Sequence, residues 1–240
     1  MEFSVVIPLF NEAGSLNRLQ ARLHKVMEKI SPEYEIIYID DGSTDASLKI
    51  LKRLKKHYPK IKTIIFDKNK GQLAALSAGF KVSEGRWIIT LDADLQNPPE
   101  EIFKLLKFKD DFSLTIGIRK NRKDTFFRKF SSFVGRIFIL VLLGDVTSDA
   151  GCALRIFERS ALKDIPFFRN SHYFFAYLFK ANNLLVKEVC VEHNHRMSGR
   201  SKYGVFKRIK YGILSLRSIF WLRKRVIRSD LKDKYKSVLD

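Results

Sequence analysis

Arg86-Trp87-Ile88-Ile89-Thr90-Leu91-Asp92-Ala93-Asp94-Leu95-Gln96-Asn97-Pro98-Pro99-Glu100 joins an apolar, β-branched run to an acidic, proline-rich turn. The run reads as a strand over Arg86–Leu91, and Asp92 closes it. In a strand, residues i and i+2 point to the same side, so Asp92 and Asp94, with Ala93 between them, are expected to face one hard cation. Oxygen donors of this kind suit Mg²⁺ or Mn²⁺, which usually holds substrate phosphates as well. Taken alone, the triplet has a second reading, in which Asp94 caps a following helix. The neighbouring segments decide between the two.

Working outward, the first hundred residues alternate strand and helix. Strands are expected at Ser4–Leu9, Glu35–Ile39, Lys62–Phe66 and Arg86–Leu91. Between them, Ser15–Ile30 carries Leu16, Leu19, Leu23, Val26, Met27 and Ile30 at helical spacing. Ser43 or Thr44 opens a second helix to about His57, with Ala46, Ile50, Leu51 and Leu54 inward, and Gly71–Val82 makes a third. Strands separated by helices imply parallel pairing through right-handed crossovers, a doubly wound sheet. Ligands of such sheets bind outside the carboxyl ends of the strands. The polar clusters fall there: Asn11 and Glu12 after the first strand, Asp40 and Asp41 after the second, Asp92 and Asp94 after the fourth.

Beyond Leu105 the pattern loosens. Further strands are expected at Phe112–Ile118, Ala150–Phe157 and Lys187–Val191, with a basic, aromatic segment at Arg122–Arg136. No repeat or Pro/Gly-rich linker divides the chain. One domain is expected over residues 1–203, its nucleotide-binding half at 1–115 and its acceptor half at 116–203. Residues 204–240 form an added basic, amphipathic helical segment.

The 240 residues suffice for a large α/β core. Cys152 and Cys190 lack metal-ligand spacing, which fits a reduced, intracellular protein with both thiols in packing roles. The net charge of +19 is uneven. Residues 1–115 hold 18 Lys/Arg against 16 Asp/Glu, whereas residues 116–240 hold 27 against 10. That asymmetry points to an anionic partner of the second half. A bilayer span needs roughly 20 apolar residues, and the longest run, Ile137–Leu143, has seven. From Val205 to Ile227, apolar and aromatic residues interleave with Lys and Arg, as in helices lying in an anionic headgroup layer. Packing of that segment on the core or a partner subunit is the plainer alternative. The expected placement is peripheral, on the cytoplasmic membrane face. A nucleic-acid-binding module is disfavoured, because no such motif is present and strand-end carboxylates repel phosphates.

Ile7-Pro8-Leu9-Phe10-Asn11-Glu12, Ile39-Asp40-Asp41-Gly42-Ser43-Thr44-Asp45, Asn69-Lys70-Gly71, Asp92–Glu100 and Arg196-Met197-Ser198-Gly199-Arg200-Ser201-Lys202-Tyr203 together resemble family 2 glycosyltransferases. Within them the match is to polyprenyl-phosphate hexose synthases of the dolichol-phosphate mannose synthase type, over roughly residues 3–203. The resemblance implies a GT-A-type, mostly parallel sheet and a metal-dependent, inverting hexosyltransferase. Its donor would be a nucleoside diphosphate sugar of the GDP-mannose or UDP-glucose kind. Its acceptor would be a polyprenyl phosphate, dolichyl or undecaprenyl. Residue by residue, Pro8, Phe10 and Glu12 would surround the base, and Asp40 or Asp41 would contact base and ribose. Phe10 stands where relatives often carry Tyr, which leaves a ring stack without a phenolic hydrogen bond. Asp92, Asp94 and Gln96 would hold the cation against the diphosphate. Arg119 and Arg128 match phosphate-contacting arginines, and Arg196 and Lys202 belong to a late loop closing over a phosphate. Without the resemblance, that loop reads first as a solvated turn.

A hydroxyl acceptor requires a general base, whereas a phosphate is already ionised at neutral pH. The basic second half fits a phosphate acceptor. Thr147-Ser148-Asp149-Ala150-Gly151-Cys152-Ala153-Leu154-Arg155 resembles the family's acceptor-side Asp…Gly motif. Asp149 either orients the sugar or acts as base in an enzyme extending a glycan. Its structural alternative is a turn cap or a pair with Arg155. His193 and His195 are expected to be structural or acceptor-side.

Overall fold

The computed structural model describes residues 1–119, 149, 151–168 and 171–194. Seven strands form one sheet: β1 Phe3–Leu9, β2 Tyr34–Asp40, β3 Ile61–Ile65, β4 Trp87–Thr90, β5 Leu114–Arg119, β6 Arg155–Glu158 and β7 Val186–Val191. Their order is β3-β2-β1-β4-β6-β5-β7. All neighbouring pairs are parallel except those that β6 makes with β4 and β5. The helices are α1 Ala13–Ile30, α2 Ser47–His57, α3 Gln72–Val82, α4 Ile102–Leu106 and α5 Phe175–Ala181.

The strands are apolar on both sides because both faces of the sheet are covered. Along β2, Tyr34, Ile36 and Tyr38 enter one core with Leu16, Leu19, Leu23 and Met27 of α1. Ile37 and Ile39 enter the other, with Ala75, Leu76 and Phe80 of α3 and Phe175 and Phe179 of α5. Close contact of α3 requires Gly79, where a Cβ would stand 2.5 Å from Val6 Cγ1 and 2.8 Å from Ile39 Cδ1.

Most expected elements lie within two residues of their observed bounds, and three departures have local causes. Helix α2 begins at Ser47, not at Ser43 or Thr44, so Ala46 precedes it and is exposed. Strand β4 stops at Thr90, leaving Asp92 beyond it. The strand expected over Ala150–Phe157 is confined to Arg155–Glu158, because Cys152 N–H turns back to Asp149 O at 3.2 Å. Cys152 is buried, as a packing role requires, whereas Cys190 is exposed on β7. No helix among the described residues is long and apolar enough to cross a membrane. The segments 122–136 and 204–240 lie outside the described residues.

Pro8 shapes the crevice at the carboxyl edge. Pairing of β1 with β4 ends at Val6 and Thr90, whereas β1 continues alongside β2 to Leu9 and Asp40. Proline lacks an N–H, which is tolerated where no strand is left to receive it. The strand order reverses direction between β1 and β4, and β1 and β4 therefore part at the place where ligands of doubly wound sheets bind.

Candidate active site

Three strand-to-helix turns meet at this edge, and Asn11 joins the first two. Its φ is 55°, in the left-handed region that Asn adopts more readily than most residues. Asn11 N–H donates to Ser43 Oγ at 2.9 Å, and its Oδ1 accepts from Thr44 N–H at 2.8 Å. Glu12 N–H donates to Ser47 Oγ at 2.9 Å, and Ala13 N–H to Asp45 Oδ2 at 3.1 Å. Residues 43–45 are thus engaged by the β1 turn, which delays the start of α2. Pro8 is buried in β1, Phe10 is partly exposed, and Glu12 is buried.

The second cluster braces the third turn. Asp40 Oδ1 accepts from Ser43 N–H at 2.8 Å. Asp41 accepts Lys70 N–H at 2.6 Å through one oxygen and Gly71 N–H at 2.9 Å through the other. Gly42, at φ 71°, leaves no room for a Cβ, which would lie 2.6 Å from the Lys68 carbonyl carbon. Burial pushes the Asp41 carboxyl above its ordinary pKa, and the Asp40 charge adds to this against the two amide donors. A carboxylate whose surroundings oppose its ionisation is a candidate for a functional site.

Asp92, Ala93 and Asp94 stand in the turn after β4, and Leu95 there has φ 60°. Strand alternation therefore does not set the direction of their side chains. Asp92 Oδ1 accepts from Gln72 Nε2, at the start of α3, at 3.0 Å. Asp94 is buried, and its Oδ1 accepts from Gln96 N–H at 3.0 Å, an Asx-type turn rather than a helix cap. Gln96 O accepts from Asn194 N–H at 2.8 Å, and Glu101 Oε2 from Glu192 N–H at 2.9 Å. The acidic loop is thereby pinned to the chain leaving β7, where His193 lies. Among the described residues no group of three or more His, Cys, Asp or Glu gathers where it could hold a metal. Two carboxylates remain, which is the number Mg²⁺ commonly takes from protein when substrate phosphates complete its shell.

On the other side of β4, Arg119 ends β5 and meets Asp149. Its Nε and Nη2 donate to the two carboxylate oxygens at 2.5 and 2.6 Å. The pair is largely buried, with side chains 14% and 9% exposed. Gly151 makes room for it, since a Cβ would lie 2.9 Å from Arg119 Nη2. Asp149 thus pairs with Arg119. Arg128, Arg196, Lys202 and His195 lie outside the described residues.

One polar residue escaped the sequence reading: Gln72, which directly follows the Asn69-Lys70-Gly71 motif, its only signal. Arg155, expected only as a partner for Asp149, interrupts an apolar run, Leu154-Arg155-Ile156-Phe157, and is buried at the head of β6, opposite Thr90.

The profile of the family described as Glycosyl transferase family 2 matches residues 4–166, more than half of the chain. The chain belongs to this family. Two curated relatives are both named undecaprenyl-phosphate 4-deoxy-4-formamido-L-arabinose transferase. That of Edwardsiella ictaluri is 37% identical over 86% of this chain and 64% of its own length. That of Salmonella choleraesuis is 38% identical, with the same shares. The chain therefore spans slightly less than two thirds of these relatives. Among solved structures, Mycobacterium tuberculosis glucosyl-3-phosphoglycerate synthase, in complex with Mn²⁺, UDP-glucose and phosphoglyceric acid, superposes with a TM-score of 0.65 at 16% identity. The superposition covers 90% of this chain and 79% of that one. The family 2 chain thus has the GT-A-like α/β fold that its motifs imply.

Proposed function

We propose that this family 2 chain transfers a sugar from a nucleoside diphosphate donor to a polyprenyl phosphate at the carboxyl edge of its sheet. The acceptor class rests on the relatives, whose names carry undecaprenyl phosphate. The same names carry an arabinose derivative, which joins the hexoses as a candidate sugar. The donor class draws support from the UDP-glucose and Mn²⁺ of the structural neighbour.

The observation that favours a phosphate acceptor over a hydroxyl is the Arg119–Asp149 pair. Both Asp149 oxygens accept from one guanidinium, a poor arrangement for taking a proton from an incoming hydroxyl. An ionised phosphate needs no base. In this reading its oxygen attacks the anomeric carbon, the bond to the donor diphosphate breaks, and the centre inverts.

Asp92 and Asp94, with Gln96 as the expected third donor, would hold Mg²⁺ or Mn²⁺. Such an ion supplies positive charge against the leaving diphosphate. The crevice beside Pro8, Phe10 and Glu12 would take the base, and Asp40 would reach the ribose. Asp41 would act by holding the Lys70–Gly71 backbone. Arg128, Arg196 and Lys202 are assigned to phosphate contacts, and residues 204–240 to an anionic membrane surface.

The test offers the protein radiolabelled nucleotide sugars, undecaprenyl phosphate and Mg²⁺ or Mn²⁺, then partitions the mixture between water and organic solvent. Label should enter the organic phase only when both cation and lipid are present. Label passing solely to water-soluble glycans would overturn the reading.

A further inference from the structure

Next to the strand-end carboxylates lies a buried polar group that the site described above does not use. The turn Ser171–Phe174 leads into α5 on the aromatic side of the sheet, where Phe157, Phe175 and Phe179 pack. Within that apolar layer Ser171 is 0% and His172 5% exposed. Ser171 Oγ and both ring nitrogens of His172 are closed from solvent and have no hydrogen-bond partner among the described residues. Three such atoms on consecutive residues are unusual, because buried polar groups are satisfied in the great majority of cases. Each unsatisfied one is destabilising, and a phenylalanine in place of His172 would suit the surroundings better. Stability therefore does not account for the histidine.

Its neighbour does. Arg155 is 4% exposed, with its guanidinium 5.0 Å above the Phe175 ring. It belongs to the carboxyl edge, level with Thr90 and two residues short of Asp92 on the adjacent strand. Burial first and the Arg155 charge second push His172 down to about 3, so the imidazole is neutral at working pH. The register Thr90↔Arg155 sets this corner beside the β4 turn that carries Asp92. A neutral imidazole N–H and a hydroxyl, beside a buried guanidinium, form a donor set for an oxyanion.

We propose that Ser171 and His172, together with Arg155, form a subsite for a phosphate oxygen of a substrate at the transfer site. This rests on the function proposed above. The phosphate is that of the lipid acceptor or of the donor diphosphate. Entry requires a shift of the Ser171–Phe174 turn, a single 3₁₀ turn at the start of α5.

The test measures binding and turnover with the full chain and its His172→Phe, His172→Gln and Ser171→Ala variants. Calorimetry with UDP, GDP and farnesyl phosphate in detergent reads the two phosphate sources separately and does not depend on turnover. With the acceptor as source, His172→Phe weakens farnesyl phosphate binding and raises the acceptor KM at least tenfold, with nucleotide affinity unchanged. With the donor as source, the tenfold loss falls on UDP or GDP instead. His172→Gln, which keeps an N–H donor, recovers most of either loss, and Ser171→Ala shows a smaller loss of the same kind. The subsite is refuted if His172→Gln and Ser171→Ala stay within twofold of wild type for every ligand and His172→Phe, where folded, does too. A wild-type protein that binds these phosphates but makes no lipid-linked sugar refutes the proposed function and leaves the subsite to be judged by binding alone.

Discussion

Asn11 combines two demands that few residues meet together. It holds φ 55° and its side chain accepts from Thr44 N–H. Alanine would lose the bonds and also suffer in the left-handed region, at about 1–2 kcal/mol. Glycine would lose only the bonds. Asn11→Ala should therefore be less stable than Asn11→Gly by about 1 kcal/mol, read from urea midpoints. Equal midpoints would show that the turn relaxes out of this conformation. The acidic residues at this edge were legible because strand-end placement is a property of the chain order. The partners of Asp41 and Asp149 were not. They come from Lys70, Gly71 and Arg119, 29 to 30 positions away in sequence, and nothing local in the pattern selects them.

His172 carries a second prediction at the same scale. Its folded pKa of about 3 lies below the ordinary 6.5. The unfolded chain thus takes up a proton below pH 6.5 that the folded chain refuses. Stability from this group is complete above pH 6.5, declines as pH falls toward 3, and is flat below. Between pH 6.5 and pH 5 the loss amounts to about 2 kcal/mol. Carboxylate titrations are shared with His172→Phe and cancel in the difference. The stability of wild type relative to that variant should therefore drop by this amount over the interval. A pH-independent difference would mean that the imidazole is hydrated in the folded state.

At the scale of elements, α3 connects the sheet to the site. Gly79 lets it lie close on β1 and β2, and its first residue, Gln72, bonds Asp92. Helix propensity alone favours replacing that glycine, by about 1 kcal/mol for alanine. The close approach to Val6 and Ile39 opposes it, since overpacking costs about 1–3 kcal/mol. For the larger and stiffer valine the steric cost wins. Gly79→Val should lower stability by about 2 kcal/mol and weaken nucleotide binding by lifting Gln72 from Asp92. A stable variant with unchanged binding would show that α3 is not the lever. Periodicity revealed this helix and the strands around it. It did not reveal that β4 ends short of Asp92, or that only the last part of the Ala150–Phe157 run pairs. Apolar content marks where a strand is able to form, whereas neighbouring turns decide where it stops.

For the whole molecule, the seven-stranded order places acidic turns from β1, β2 and β4 on one edge, with Arg119, Asp149 and Arg155 beside them. The first hundred residues made that convergence predictable, because parallel crossovers bring every strand's carboxyl end to the same side. The reversed direction of β6 was not predictable from its composition, and it is what delivers Arg155 to this edge from the strand's beginning. Transfer at this edge requires the leaving nucleotide to lie there. Crystals soaked with Mn²⁺ and a nucleoside diphosphate, measured at the manganese absorption edge, test this directly. One anomalous peak is expected within about 2–2.5 Å of carboxylate oxygens of Asp92 and Asp94, with the diphosphate beside it. Nucleotide bound elsewhere, or at this edge with those carboxylates turned away from the metal, would contradict it.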